Sequence, residues 1–208
     1  MSVARNGARP YRQKLRADRY LETRRRIVEA AVELHLERGP VRTSIGAIAE
    51  RAGVSRITVY RHFPDARTLL EACARHSREV NPPPDLDRWR RIADPNERAQ
   101  FGLVELYGHF RRTEAGWSNI LRDAELVPLV RELAEERRVA YLRRARDVFL
   151  AGRPGSRRKA VRAALGLAVD FRTWQTLARR HQLSDREAAM LMLQLVRSVE
   201  GTSRDVNG

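Results

Sequence analysis

Residues 43–63, TSIGAIAERAGVSRITVYRHF, leave the backbone little choice. A glycine at 53 can turn left-handed without the clash that a Cβ brings, so a helix begun near Ser44 ends there. Ser44 and Ser55 are of the type that caps a helix start, each hydroxyl taking an orphan backbone N–H of the first turn. Ile45, Ile48 and Ala49 fall on one helical face, Ala52 is small enough for a second helix to cross closely, and Val54 plugs the corner. Val59 and Phe63 point back to the core. Arg56, Thr58, Tyr60, Arg61 and His62 are then left with no core to fill. The pattern is a helix-turn-helix whose second helix is suited to the major groove of DNA. A purely structural helical hairpin is the competing reading, but it has no use for two arginines, a threonine, a tyrosine and a histidine on its outer side.

At these residues the chain resembles the TetR family of one-component transcriptional regulators. The matching signature is Ser44-x-x-x-Ile48-Ala49-x-x-Ala52-Gly53-Val54-Ser55, then Thr58-Val59-Tyr60-x-His62-Phe63, then Leu69-Leu70. The resemblance covers roughly residues 20–75; beyond them only helical pattern and length are similar. It implies an all-α fold, with an N-terminal helix-turn-helix DNA-binding domain and a C-terminal helical ligand-binding and dimerisation domain. It also implies a homodimer on a double-stranded operator, released by a small-molecule effector. The candidate DNA-binding set is Ser44, Ser55, Arg56, Thr58, Tyr60, Arg61, His62 and Arg67. The family usually has a phosphate-binding lysine three residues after the phenylalanine; here that position is Ala66, and Arg67 beside it takes its place in the set. An effector-free DNA-binding dimer, and more distantly an enzyme, are the other readings.

Charge agrees with a polyanionic partner. Lys and Arg number 41 against 26 Asp and Glu, a formal net charge of +15. Such an excess draws a chain to nucleic acid first, with a membrane surface or a merely solvated exterior as alternatives. Lys14 and Lys159 are the only lysines, so the charge is almost entirely arginine. The single cysteine, Cys73, excludes an internal disulfide framework and fits a reducing cytoplasm. The basic N-terminus lacks the apolar core of a signal peptide, and no run approaches the roughly 20 apolar residues of a membrane span. Cys73 and His76 have no second ligand pair, so no metal is expected, nor any other cofactor. No nucleophile elbow, P-loop or dinucleotide fingerprint is present, and enzymatic function has no positive sign.

Residues 1–18 read as a flexible basic arm, either lying along DNA or simply solvated. A first helix is expected from Asp18 or Tyr20 to Glu37, with Arg24, Arg25 and Arg26 near its start and His35 on its surface. Asp65 should cap a helix to Val80, where Asn81-Pro82-Pro83-Pro84 ends the DNA-binding domain, 19–80. In the second domain, 81–208, Asp94-Pro95-Asn96-Glu97 opens a helix to Thr113. A short helix around Trp117 and Leu121, a long one from Pro128 to Leu150, one from Ser156 to Arg180 and one from Ser184 to Glu200 follow. The last is apolar on nearly every side, which points to burial against a second subunit or in an ordinary core. Phe110, Trp117, Phe171 and Trp174 are expected to bound an apolar effector cavity, with His109, Asn119 and Gln175 as its polar groups.

Overall fold

The computed structural model describes residues 8–155 and 158–201, and every regular element among them is helical. They fall into two compact units, Met1–Val80 with Ala115–Arg131, and Asn81–Glu114 with Glu132–Gly208. The first unit's first segment ends at Val80, before the proline stretch, and residues 115–131, given to the second domain on sequence, group with that unit.

In the first unit α1 (Ala8–Arg38) packs against α2 (Ile45–Ala52) and α4 (Ala66–Val80), with α3 (Arg56–His62) crossing α2. The core is Ile27, Ala31 and Leu34 of α1, Ile48 and Ala52 of α2, Val59, Phe63, Leu69 and Cys73. Full burial of a side chain such as Ile27 or Phe63 contributes about 1.5–3 kcal/mol. The caps form as the sequence dictates. Ser44 Oγ accepts from Ala47 N–H and Ser55 Oγ from Thr58 N–H, both at 3.1 Å. Gly53 adopts φ 63° and ψ 42°. Asp65 Oδ1 accepts from Thr68 N–H at 2.7 Å.

Helix α1 begins ten residues or more before its expected start. The arm is therefore helical from Ala8 onward, and residues 1–7 lie outside the described set. Alanine, arginine, glutamine, lysine and leucine between 12 and 17 are good helix formers, so this extension needs no packing partner to explain it. Arg24, Arg25 and Arg26 consequently sit in mid-helix, where no helix-start repulsion acts on them.

In the second unit α5 (Leu86–Arg90) is a single short helix capped by Asp85, which sequence reading missed. Next comes α6 (Pro95–Leu126), unbroken where two helices were expected. It supplies its first residues to the second unit and its last to the first. The run from Pro128, whose residues to Arg131 still belong to the first unit, is interrupted: α7 (Pro128–Ala134), a π-helical turn at Glu135–Val139, then α8 (Ala140–Leu150). The expected helix from Ser156 also breaks, and Ser156 itself lies outside the described residues. Helix α9 (Arg158–Ala168) stops before Asp170, whose carboxylate accepts from Arg172 and Thr173 N–H and starts α10 (Phe171–Gln175). A π turn, Thr176–Arg180, completes it. The carboxy-terminal helix is α11 (Asp185–Gly201), which packs on α9 and opens with a reciprocal Ser184–Glu187 capping box.

Helix α11 is not buried all round. Ala188, Ala189, Met192, Leu193 and Val196 face the core, while Leu191 and Leu195 are exposed. On α9, Leu167 and Ala163 are also exposed, and a Cβ at Gly166 would touch nothing. Both helices of the pair therefore expose apolar side chains.

Candidate nucleic-acid interface

The side of α3 turned away from the core carries Arg56, Ile57, Tyr60 and Arg61, all exposed, with Thr58 at its margin. At helical spacing Ile57 and Arg61 stand one turn apart at its centre. Ile57 is 79% exposed, a large apolar side chain that no folding term places there. Sequence reading passed over it; an isoleucine outside the Val59–Phe63 core stripe was the available signal. Exposed side chains of this kind reach the methyl of thymine, as arginines reach guanine and phosphate. Ser44 and Ser55 are exposed caps. The Thr58 hydroxyl lies 3.0 Å from Ser55 Oγ. Arg56 lies over Gly46 of α2, where any Cβ would meet its guanidinium. Arg67 is exposed in the first turn of α4 beside Asp65. The N–H of Thr68 chiefly, and the Arg67 charge in part, hold the Asp65 carboxyl below its usual range.

His62 does not belong on this face. It is 4% exposed, and its ring packs 4.1 Å from that of Tyr20 in α1. Burial, and then the charges of Arg61 and Arg24, lower its pKa. At the last position of α3 the side chain turns toward α1, which the helical wheel of α3 alone cannot show.

The arginines of α1 hold the motif together. Arg24 Nη1 donates to the His62 carbonyl at 2.6 Å, and its guanidinium lies 4.0 Å over the Phe63 ring. Arg26 donates to the Ala52 carbonyl. Each cation therefore sits at the carboxyl end of a motif helix, where carbonyls lack partners and the dipole favours positive charge. Arg25 pairs instead with Glu22 and Glu29, each at 2.7 Å. These roles cross 26 to 38 residues of sequence and were not legible from local pattern.

Residues 27–73 match the profile of bacterial regulatory proteins of the tetR family. Through this segment the chain is similar to the DNA-binding part of that family. It is 45% identical over 51 residues to the HTH-type transcriptional regulator TtgR of Pseudomonas putida, 24% of either chain. The alignment thus spans about a quarter of the length of that curated relative. Solved structures share the fold over most of their length. NalD, the secondary repressor of the MexAB-OprM multidrug efflux pump in Pseudomonas aeruginosa, gives a TM-score of 0.60 at 22% identity, over 88% of this chain and 97% of that one. RolR, crystallised with its ligand resorcinol, gives 0.51 at 21%, over 89% and 96%.

The last turns of α6 clasp the carboxyl end of α1 in the TetR-type unit. Asn119 Nδ2 donates to the Leu36 carbonyl at 2.8 Å and the His35 carbonyl at 3.2 Å. Arg122 Nη2 donates to the Arg38 carbonyl, and Val41 N–H to Asp123 Oδ2. Asn119, expected in an effector cavity, is thus a cap for α1. His35, expected on the surface, is partly covered; burial lowers its imidazole to about 4 against the opposing pull of Asp123.

The aromatic residues of the second unit pack on one another. The Phe110 ring lies 5.4 Å from Phe171 and 5.8 Å from Trp174, and those two are 5.5 Å apart. All three are buried. Trp174 Nε1 donates to Asp185 at 2.9 Å, and Asp185 also takes both arms of Arg111. Trp117 falls in the first unit, and Gln175 donates to Glu114. The cavity expected between Phe110, Trp117, Phe171 and Trp174 is therefore replaced, at its three second-unit members, by rings in mutual contact. His109 is buried beside them, its Nδ1 lacking a partner among the described residues. Burial, and then Arg112, lower it to about 4.

His35 and His109 give stability a pH dependence. Both fold with a pKa below the ordinary 6.5. As pH falls from 6.5 toward 4 the unfolded chain takes up protons that the folded one refuses, so stability declines across that window. The urea midpoint is expected to drop between pH 7 and 5, and less so in His35→Gln or His109→Gln. An identical drop in both variants would show that these histidines are not responsible.

Proposed function

We propose that this chain is a dimeric transcriptional repressor that reads a pseudo-palindromic operator through α3. The observation that carries the reading is the outward side of α3: Arg56, Ile57, Tyr60 and Arg61 exposed together, without an acid among them, on a motif that α1 braces from behind. Base edges are reached from the amino-terminal part of such a helix, while Tyr60 and Arg61 nearer its end suit phosphates that set register. The exposed leucines of α9 and α11, Leu167, Leu191 and Leu195, support a second copy as partner. Two recognition helices would then meet successive major grooves about 34–36 Å apart. The fold shared with NalD, a repressor, agrees with this reading.

The test is selection of binding sites from random duplexes, followed by affinity measurements. Arg56→Ala is expected to cost about 1–3 kcal/mol on the selected site and to relax preference at one base pair. Equal weakening on selected and random duplexes would reduce Arg56 to a backbone contact. Failure of the wild type to enrich any sequence would remove the operator reading.

Release by a small molecule is part of the proposal, with Phe110, Phe171, Trp174 and His109 as the receiving group. The ligand-bound relative RolR supports it. Binding there must part rings that now touch, and it releases DNA only if the ligand favours the state with weaker operator affinity. The closed packing of the same rings favours a second reading, an effector-free dimer controlled by a protein partner.

A further inference from the structure

The amino-terminal extension of α1 has two unlike sides. At 3.6 residues per turn, Arg12, Arg16, Tyr20 and Arg24 follow one another at four-residue intervals along one stripe. Its inner end is fixed on α3: Tyr20 packs on His62, and Arg24 holds the His62 carbonyl and covers Phe63. Its outer end, Arg12 and Arg16, is exposed. Glu37 of the same helix pairs with Arg51, and its other acids, Asp18, Glu22, Glu29 and Glu33, lie on the opposite side together with Tyr11 and Leu15. There Glu22 and Glu29 are occupied by Arg25. The stripe therefore leaves the carboxyl end of α3 as two exposed cations turned away from those acids. They stand one and two turns beyond Tyr20, about 6 and 12 Å along the axis.

We infer that this stripe is a second DNA-contacting element, in which Arg16 and Arg12 bind the phosphate backbone beside the groove that α3 enters. The inference rests on the operator reading of α3. Duplex DNA is the occupant because it presents a closely spaced row of negative charge at the place where the stripe begins. The extension being helical rather than loose means that ordering the arginines costs little backbone entropy on binding.

The experiment uses the full-length protein and its selected operator, with affinity measured across a salt series. Removing one arginine–phosphate pair flattens the log–log slope by about 0.9, and each substitution removes two such pairs from a dimer, so Arg16→Gln is expected to flatten it by about 1.8. Arg12→Gln should act in the same direction and Arg16→Lys should restore the wild-type slope. Lys14→Gln removes the same charge from another side of the helix and should leave the slope nearly unchanged. Equal flattening by Lys14→Gln and Arg16→Gln would overturn the inference in favour of diffuse net charge. An unchanged slope in Arg16→Gln, with operator preference intact, would overturn it while leaving the α3 reading standing. A wild type without operator preference would instead be the failure of the α3 reading. These positions are exposed, so each variant should keep its fold, with circular dichroism as the control.

Discussion

Leu191→Glu combined with Leu195→Glu is expected to convert the protein to a monomer and to weaken operator binding about 10²–10⁴-fold. The two leucines stand one turn apart on α11 and are 45% and 40% exposed in the single chain, in line with Leu167 of α9 at 53%. Exposed apolar side chains on packed helices are costly in water and gain most from a copy of themselves across a two-fold axis. A glutamate at each position would place four like charges in that interface and strand them without partners. Operator affinity suffers because two half-sites bound by one dimer become two independent events, and the forfeited effective concentration accounts for the range given. The exposure of the leucines separates this outcome from unfolding. The side of α11 that holds the core, Ala188, Ala189, Met192, Leu193 and Val196, is left unchanged, so the monomer should keep its helical spectrum. Sedimentation and circular dichroism on the same sample provide the check. A dimer that survives both changes would move the interface to another surface.

Asp123→Ala is expected to lower stability by about 2–3 kcal/mol, because it removes a buried acceptor and strands the N–H it serves. The carboxylate is 1% exposed and answers two donors, Val41 N–H and Arg122, each at 2.9 Å. Arg122 keeps access to water, so its share is modest, and the larger part of the loss falls on the Val41 N–H bond. Gly39→Ala should cost a similar amount by a different route. Gly39 has φ 88°, and a Cβ there would collide with Arg122 Nη2 and Asp123 Oδ2. Left-handed strain alone costs roughly 1–2 kcal/mol, and moving the clasp adds to it. For a chain of this size each change should reduce Tm by about 4–12 °C. Because both act on one network, the double variant is expected to lose less than the sum. Additive losses in thermal melts would show that residue 39 and residue 123 act separately. No comparable effect is expected from Asp18→Ala, an exposed acid on the outer side of α1.

What the sequence determined by itself is the part of the molecule whose partners lie three or four residues away. Ser44, Gly53 and Ser55 specify two helices and the turn between them through bonds to their own first and last turns. The Ser184–Glu187 box and the Asp65 cap are equally local. The apolar spacing of Ile48, Ala52, Val59 and Phe63 named the core of the first unit because each faces one side of a short helix. Sequence alone could not give groups whose partners come from elsewhere. His62 is turned inward by Tyr20, Arg24 and Arg26 are spent on carbonyls of α3 and α2, and Asn119 reaches His35 across 84 residues. The single span of α6 through Gly116 is another case, for that glycine lies against Leu36 of α1. A glycine inside a helix reads as a weak point until a neighbour uses the space it leaves. Whether Leu191 is core or surface was likewise open, since helical periodicity gives the direction of a side chain and only the packed structure supplies what stands in that direction.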